Sequence, residues 1–460
     1  MVRYEEKKTV TPVTVTIEDM TAEGEGVAHP EGRVLFVKGA VLGDRVEVAI
    51  DRRKKTFSQG HVQRLLTPSP DRREIPCPYQ KDCDGCPLMP LKTEVQQRWK
   101  KRWMEEVLRR IGGVEKEVEF YREQEAGYRN KINLRVSPKG LLSYSKRGSN
   151  DLLAVDSCWI AHPLLSDLLG RWNQHFRQVP PPTVFAKIRM VVFRCNDRDE
   201  VMILLVTDLL SAKERESLFQ SLAFLSPAVL GQCENRRPGD VNLRPPFHFF
   251  TERQDLDIQL MGLHFRLSPA SFFQVNRFTR SLLYEQALAL FPKAEAKDSP
   301  VLDLYCGTGT TSLLLAQRGF SVLGIESNAS AVEDAKENAK RNHLKNVSFL
   351  CGKAEDLLHA SRFPQDGRQS LLGTATKALV DPPRKGLHEE VVNALNRSSI
   401  RELVYISCNP ATFARDLKRL GEGGFRLEKA IGIDQFPNTG NGEVVGRFSR
   451  IESGGITERV

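Results

Sequence analysis

The sequence predicts an α/β fold: a parallel sheet with helices on both faces, preceded by a small all-β segment and a mixed α+β region. Three observations carry this prediction. From about residue 265, short apolar runs alternate with helical segments. One run ends in a glycine turn, Asp303-Leu304-Tyr305-Cys306-Gly307-Thr308-Gly309-Thr310, that leads into a helix. Two later runs end in Asp381-Pro382-Pro383-Arg384 and in Ser407-Cys408-Asn409-Pro410. Strand–helix alternation gives parallel strands buried on both faces, and open sheets of this kind take ligands at the carboxyl ends of their strands. The chain divides by pattern into residues 1–70, 71–264 and 265–460.

Residues 1–70 read as all-β. Alternating runs (Val13 to Ile17, Val34 to Val37, Val46 to Val48) are cut by Gly24, Gly26, Gly32, Gly39 and Gly43, the rhythm of short strands and tight turns. Arg52, Arg53, Lys54 and Lys55 form a basic run on an expected loop. Thr67-Pro68-Ser69-Pro70-Asp71 is a linker by composition. Cys77, Cys83 and Cys86 follow closely. Residues 93–111 predict a helix, with Val95, Trp99, Trp103, Val107 and Ile111 as its apolar stripe and Arg98, Lys100, Lys101 and Arg102 as its basic face. The tryptophans are expected to pack, not to stack on bases. Residues 117–262 read as mixed, with a hairpin around Asn196-Asp197-Arg198-Asp199 and a loop at Pro180-Pro181-Pro182. Strands are expected at 301–304, 322–325, 347–350, 378–380 and 403–406, with a helix at 331–342.

Bulk properties narrow the function. A length of 460 residues favours several domains, and 40% hydrophobic residues supply real cores. The net charge of +9 favours a polyanionic partner. No apolar stretch is long enough to span a membrane, and Met1 to Lys8 lack a signal-peptide core. The expected location is therefore cytoplasmic, with no membrane partner. In that compartment nine cysteines are metal ligands, a nucleophile or buried fillers before they are disulfides. Cys195, Cys233 and Cys351 are expected as buried fillers.

Four clusters carry chemistry. Gly307 and Gly309 permit a tight turn and close backbone approach to a ligand. Glu326 ends the next run, 19 positions after Gly307, where an acid accepts bonds from ribose hydroxyls. Position 312 is Ser where a dinucleotide turn places its third glycine, which favours S-adenosylmethionine over a nicotinamide. Asp381, fixed between a strand end and two prolines, is read as a ligand-binding acid. Cys408 is presented at a strand end just before Pro410. A thiolate nucleophile makes sense there: addition to carbon 6 of uracil turns carbon 5 into a nucleophile towards a methyl donor. Cys77, Cys83 and Cys86, with Cys158 as a fourth thiolate, suit zinc or an iron–sulfur cluster.

Two resemblances follow. Gly24-Glu25-Gly26-Val27-Ala28 and Leu42-Gly43-Asp44-Arg45-Val46 resemble a TRAM domain, a small RNA-binding β-barrel. Nearly the whole chain resembles the bacterial uracil-5-methyltransferases of 23S ribosomal RNA. The residues are Cys77, Cys83, Cys86 and Cys158; Tyr128-Arg129-Asn130-Lys131; Ser271-Phe272-Phe273-Gln274-Val275-Asn276; Leu302 to Gly307; Asp381 to Arg384; and Ser407 to Thr412. The resemblance implies a Rossmann-like S-adenosylmethionine-dependent methyltransferase domain, an N-terminal TRAM barrel and a central domain carrying a 4Fe–4S cluster on the four cysteines. It implies cofactor contacts at Gln274, Tyr305, Thr310, Glu326 and Asp381, Cys408 as nucleophile and Glu443 as base. The expected partner is RNA, 23S rRNA first and tRNA as the rival, and the expected state is a monomer. The chain departs from the family at Asp84, at Asn438 and Asn441 where histidines are common, at Gly442 and at Lys353. An amino-methyltransferase working through Asp381, and a non-catalytic RNA-binding protein on the same scaffold, are the alternative readings.

Overall fold

The structure, a computed structural model, describes residues 12–235, 243–291, 300–358 and 374–450. The chain forms two compact units. The first takes in residues 1–100, 146–149 and 436–441; the second takes in 101–145, 150–435 and 442–460.

The first unit holds a six-stranded sheet in the order Val13–Thr16, Arg45–Arg53, Phe57–Thr67, Val34–Lys38, Gly26–Ala28, Asp19–Met20. Neighbours are antiparallel except Val34–Lys38 with Phe57–Thr67. Alternation turns Val15, Leu35, Val37, Val46 and Val48 into one core with Ile17, Ala28 and Ala40. Three register shifts bend the long pair Arg45–Arg53 and Phe57–Thr67. The basic run is not all loop: pairing continues to Arg53 opposite Ser58, so Arg52 and Arg53 close the strand and only Lys54 and Lys55 turn. All four are exposed.

The expected linker is docked. Buried Asp44 accepts from Ser69 N–H at 3.0 Å and from Arg72 Nε and Nη2 at 2.7 and 2.6 Å. Deleting one member of such a pair strands a buried charge, at a cost of about 3–5 kcal/mol. Within this unit Asn438 sits at φ +68 and is fully buried. Its Oδ1 accepts from Arg73 Nη2 (2.6 Å) and Gln96 Nε2 (3.2 Å), and its carbonyl accepts from Leu88 N–H (3.0 Å). Asparagine tolerates this left-handed conformation better than most residues.

The helix Thr93–Arg110 stops one residue short of the expected end. Its buried residues are Val95, Gln96, Trp99, Lys100, Met104 and Leu108. A strict four-residue stripe drifts off a 3.6-residue face, which is why Trp103 and Val107 are only partly buried and Ile111 is 42% exposed. Lys100 leaves the predicted basic face: it is buried, and its Nζ donates to the Phe436 carbonyl at 3.0 Å. Trp99 packs, as expected, with its Nε1 donating to Asp19 at 3.0 Å.

The second unit holds two large sheets. Seven strands run Leu152–Ala154, Leu142–Ser145, Lys131–Val136, Ile188–Cys195, Val201–Thr207, Val229–Glu234, Phe247–Phe249. The hairpin at 196–199 is present, with the Asn196 side chain accepting from Arg198 and Glu200 N–H. The eight-stranded sheet runs Val347–Cys351, Val322–Glu326, Val301–Leu304, Lys377–Val380, Glu402–Ser407, Glu443–Arg450, Phe425–Ile433, Val118–Tyr121. All five expected strands are there. The first five are parallel, but Glu443–Arg450 runs antiparallel to both neighbours. The sheet is therefore mixed, because Phe425–Ile433 returns through a short connection that allows only antiparallel pairing. Its edge, Val118–Tyr121, comes from outside residues 265–460.

Both faces of this sheet are buried. Leu302, Leu304, Ala378, Val380, Leu403 and Tyr405 join one core, while Val301, Leu379, Val404 and Ile406 join another with the hairpin Leu256–Leu267 and helix Thr279–Ala289. Among the described residues no helix is long and apolar enough to cross a membrane.

Candidate active site

Strand Val301–Leu304 ends in the glycine turn. Tyr305 and Cys306 N–H both donate to the Ile325 carbonyl, at 2.9 and 3.1 Å. That hold keeps Tyr305 at φ +64, a conformation costing a bulky residue on the order of 1–3 kcal/mol. The two glycines differ. A Cβ on Gly307 would meet nothing within 4 Å, whereas one on Gly309 would press on Ala335 and Leu313 at 3.0 Å. Gly307 thus borders open space, and Gly309 serves helix packing. Glu326 stands at the next strand end, its carboxylate accepting from Gly307 N–H (3.2 Å) and Asn328 N–H (2.7 Å). Buried Asp303 accepts from Thr311 (2.6 Å) and Ser312 (2.5 Å) hydroxyls. This explains serine at 312, which anchors helix Thr310–Gln317 to the strand.

Asp381 follows strand Lys377–Val380, with its N–H donating to the Leu304 carbonyl at 3.3 Å. The turn after it is fixed by a residue that sequence patterns did not flag. Asp416 is fully buried and accepts from Leu387 N–H and Tyr405 hydroxyl, both at 2.8 Å. Arg415 bonds Asp416 and the Lys385 carbonyl. Gly386, at φ +77, is obligatory here, because a Cβ would lie 2.4 Å from Asp416 Oδ2.

Cys408 lies between strand Glu402–Ser407 and helix Pro410–Gly421. Asn409 caps that helix, accepting from Ala411 and Thr412 N–H, with Pro410 at the first helical position. Asn409 Nδ2 and Thr412 Oγ1 also donate to the Arg384 carbonyl, at 3.4 and 3.3 Å. The thiol turn and the Asp381–Arg384 turn are thereby laced together. Glu443, expected beside glycines, begins the strand whose Val444 pairs with Ser407. It is 3% exposed.

Cys408, Asp381, Arg384 and Glu443 act on one another. Burial pushes the Cys408 thiol up to about 11; Glu443 adds to this, and Arg384, through its charge and a hydrogen bond, works against it. Burial and then Asp381 push Glu443 up to about 8. Burial and then Asp303 push Asp381 up to about 7. Tyr284, on helix Thr279–Ala289, feels Asp381, Glu443 and Asp303, and its hydroxyl bonds Thr310. Gln274 is buried in a loop clamped by Arg194 Nη1 to the Ser271 carbonyl (3.0 Å) and by Asn130 N–H to the Val275 carbonyl (2.9 Å). Tyr305 turns its hydroxyl to the His388 backbone, and burial raises it to about 12.

These raised carboxyls fix a pH dependence. Asp303, Asp381 and Glu443 sit at about 6, 7 and 8 against ordinary values of 3.8, 3.8 and 4.5. The folded chain holds their protons more tightly than the unfolded chain. The stabilisation is complete below about pH 4 and is lost as pH rises through about 8. Thermal melting of Glu443→Gln should therefore gain on the wild type as pH rises from about 5 to about 9. A pH-independent difference would contradict the assignment of a buried, protonated Glu443.

The cysteines divide. Cys195 and Cys233 are buried as expected, but Cys351 is exposed, at the end of its strand. Cys77, Cys83, Cys86 and Cys158 are half-buried. Among the described residues no three His, Cys, Asp or Glu side chains stand together in a metal-holding group. Cys83 Sγ accepts from Gly85 N–H at 3.4 Å, and the Cys158 backbone N–H donates to Ser166 Oγ at 3.0 Å.

Residues 247–447 match the family described as tRNA (Uracil-5-)-methyltransferase, and residues 6–62 match the TRAM domain. An uncharacterized RNA methyltransferase of Bacillus cereus is 30% identical, over 96% of this chain and 97% of that one. The chain belongs to the RNA uracil-5-methyltransferase family. An uncharacterized RNA methyltransferase of Halalkalibacterium halodurans is 32% identical over 93% of this chain and 94% of that one. Among solved structures, the tRNA (uracil-54, C5)-methyltransferase of Pyrococcus abyssi, in complex with S-adenosyl-L-homocysteine, superposes with a TM-score of 0.72 and 25% identity, covering 95% of this chain and 100% of that one. As a uracil-5-methyltransferase the chain uses S-adenosylmethionine and acts on RNA. The open space over Gly307 and the strand-end acids Glu326 and Asp381 fit an adenosyl cofactor.

Proposed function

We propose that this chain methylates carbon 5 of a uridine in 23S rRNA, in the cytoplasm, through a covalent Cys408–uracil adduct. The observation that carries it is the grouping of Cys408, Arg384, Asp381 and Glu443 at the carboxyl end of the sheet. Bound S-adenosylmethionine supplies an electrophilic methyl group. Gln274, Tyr305, Thr310, Glu326 and Asp381 are the residues proposed to hold it.

Cys408 loses its proton to solvent and its sulfur bonds carbon 6 of the uracil, pushing the ring electrons onto carbon 5 and the neighbouring carbonyl oxygen. Arg384, which already favours the thiolate, lowers the cost of this charge. Carbon 5 then takes the methyl, whose bond to the donor sulfur breaks, and S-adenosylhomocysteine is left. Glu443, in its ionised form, takes the proton from carbon 5, the double bond between carbons 5 and 6 returns, and the carbon–sulfur bond breaks to release the Cys408 thiolate. With a pKa near 8, Glu443 is a base matched to neutral conditions.

Transfer of labelled methyl to RNA, digested to nucleosides, tests the reading. Expected is 5-methyluridine in a 23S rRNA transcript and little in tRNA; label only in tRNA overturns the substrate, and label on an exocyclic amine overturns the reaction. The TRAM domain and the cysteine segment support rRNA. A 4Fe–4S cluster on Cys77, Cys83, Cys86 and Cys158 belongs to this reading through the family resemblance and takes part in no step. Protein purified without oxygen should then carry about four irons and matching sulfide per chain. Zinc without sulfide would contradict it.

A further inference from the structure

Strands Lys131–Val136 and Ile188–Cys195 pair antiparallel, and Lys131 lies directly opposite Arg194. Like charges on facing positions repel. Burial sharpens the conflict, since Arg194 is 2% exposed. Burial, then Arg194, then Arg129 lower Lys131 to about 8, and burial lowers Arg194 to about 10. Among the described residues no hydrogen-bonding or ionic partner is found for the Lys131 ammonium.

The surroundings add more positive charge. Arg129 donates its Nε to the Lys131 carbonyl at 3.0 Å, and its backbone bridges to Asn276. Arg277 follows Asn276 and contacts His162 Nε2. Arg280 is 5% exposed and pairs with Asp197 at 2.5 Å. Even so, buried nitrogens of Arg194, Arg277 and Arg280 lack hydrogen-bond partners among the described residues. Asp197, Asp199 and Asp334 are the acids that act on this group, fewer than its cations. A fold that keeps a buried cation facing a half-buried one, with fewer acids than cations around them, loses stability for it, and such local conflicts mark functional sites.

The group lies against the clamped loop that carries Gln274, through Arg194 on Ser271 and Asn130 on Val275. We propose that Lys131, with Arg129 and Arg277 beside it, binds an RNA backbone phosphate adjoining the uridine that enters the active site. A phosphodiester brings one negative charge and two acceptor oxygens, which is what the group lacks. This inference rests on the RNA methyltransferase reading and adds where the strand is gripped.

The test uses the full chain as wild type, Lys131→Met and Lys131→Arg. Binding of a short labelled hairpin RNA with an unpaired uridine is followed across a salt series, with S-adenosylmethionine affinity and melting temperature measured alongside. Lys131→Met should weaken RNA binding about tenfold and flatten the log–log salt slope by about one. Lys131→Arg should restore both. Lys131→Met should melt at or above the wild-type temperature, because a repulsion has gone; a purely structural lysine predicts the opposite. Unchanged RNA affinity and slope, or lost S-adenosylmethionine binding with RNA binding intact, overturns the proposal. If the wild type yields no 5-methyluridine while Lys131→Met still loses RNA affinity, the reaction assignment fails and the phosphate site stands.

Discussion

Cys408→Ala should lose methyl transfer by on the order of 10⁴-fold or more while keeping S-adenosylmethionine and RNA bound. The size follows from the chemistry: without a nucleophile on carbon 6, carbon 5 of uracil has no electron pair to offer a methyl group. The fold should survive, because Asn409 and Pro410 still start the helix Pro410–Gly421 and the thiol is only half-buried. Single-turnover transfer from labelled cofactor at saturating RNA reads the effect directly. Activity within tenfold of wild type would return the amino-methyltransferase reading, in which Asp381 does the work and the thiol is incidental.

Glu443→Gln should separate the two halves of the reaction. After methyl transfer, carbon 5 holds both a methyl and a hydrogen, and the sulfur of Cys408 remains on carbon 6. Release needs a base at that hydrogen. Glutamine keeps the shape and burial of Glu443 but accepts no proton, so elimination should slow about 10²–10⁴-fold while the first methyl transfer proceeds. A methylated protein–RNA adduct should accumulate and be visible by mass. Glu443 also raises the Cys408 thiol, so the variant's thiol should alkylate at lower pH than that of the wild type. Wild-type turnover with no adduct would place the base elsewhere.

The parallel half of the methyltransferase sheet was legible because its strands are continuous apolar runs ending in Gly, Asp-Pro-Pro or Cys-Asn-Pro, a local signal that needs no knowledge of the partner strand. The antiparallel strands Phe425–Ile433 and Glu443–Arg450, and the edge strand Val118–Tyr121, were not, since their place depends on pairing partners distant in sequence. Glu443 shows the consequence. By neighbours it is a glutamate after Gly442, and only its pairing beside Ser407 explains its burial. Asp416 was missed for the same reason: a lone acid on an amphipathic helix reads as surface, yet it is the fixed point of the turn at Leu387. The register of Lys131 against Arg194 is likewise invisible until the strands are paired. Lys100 was misplaced because its charge outweighed its helical position; in the fold its ammonium reaches the Phe436 carbonyl.

The adduct itself is the most direct test. RNA carrying 5-fluorouridine at the target position, incubated with the protein and S-adenosylmethionine, should stop after methyl transfer, because carbon 5 then bears fluorine where the base needs a hydrogen. The predicted result is a stable protein–RNA complex whose tryptic peptide carries a methylated fluorouracil nucleotide on Cys408. A complex linked through any other residue, or methylation of ordinary uridine RNA with no trapped complex from the fluorinated one, would contradict covalent catalysis by Cys408.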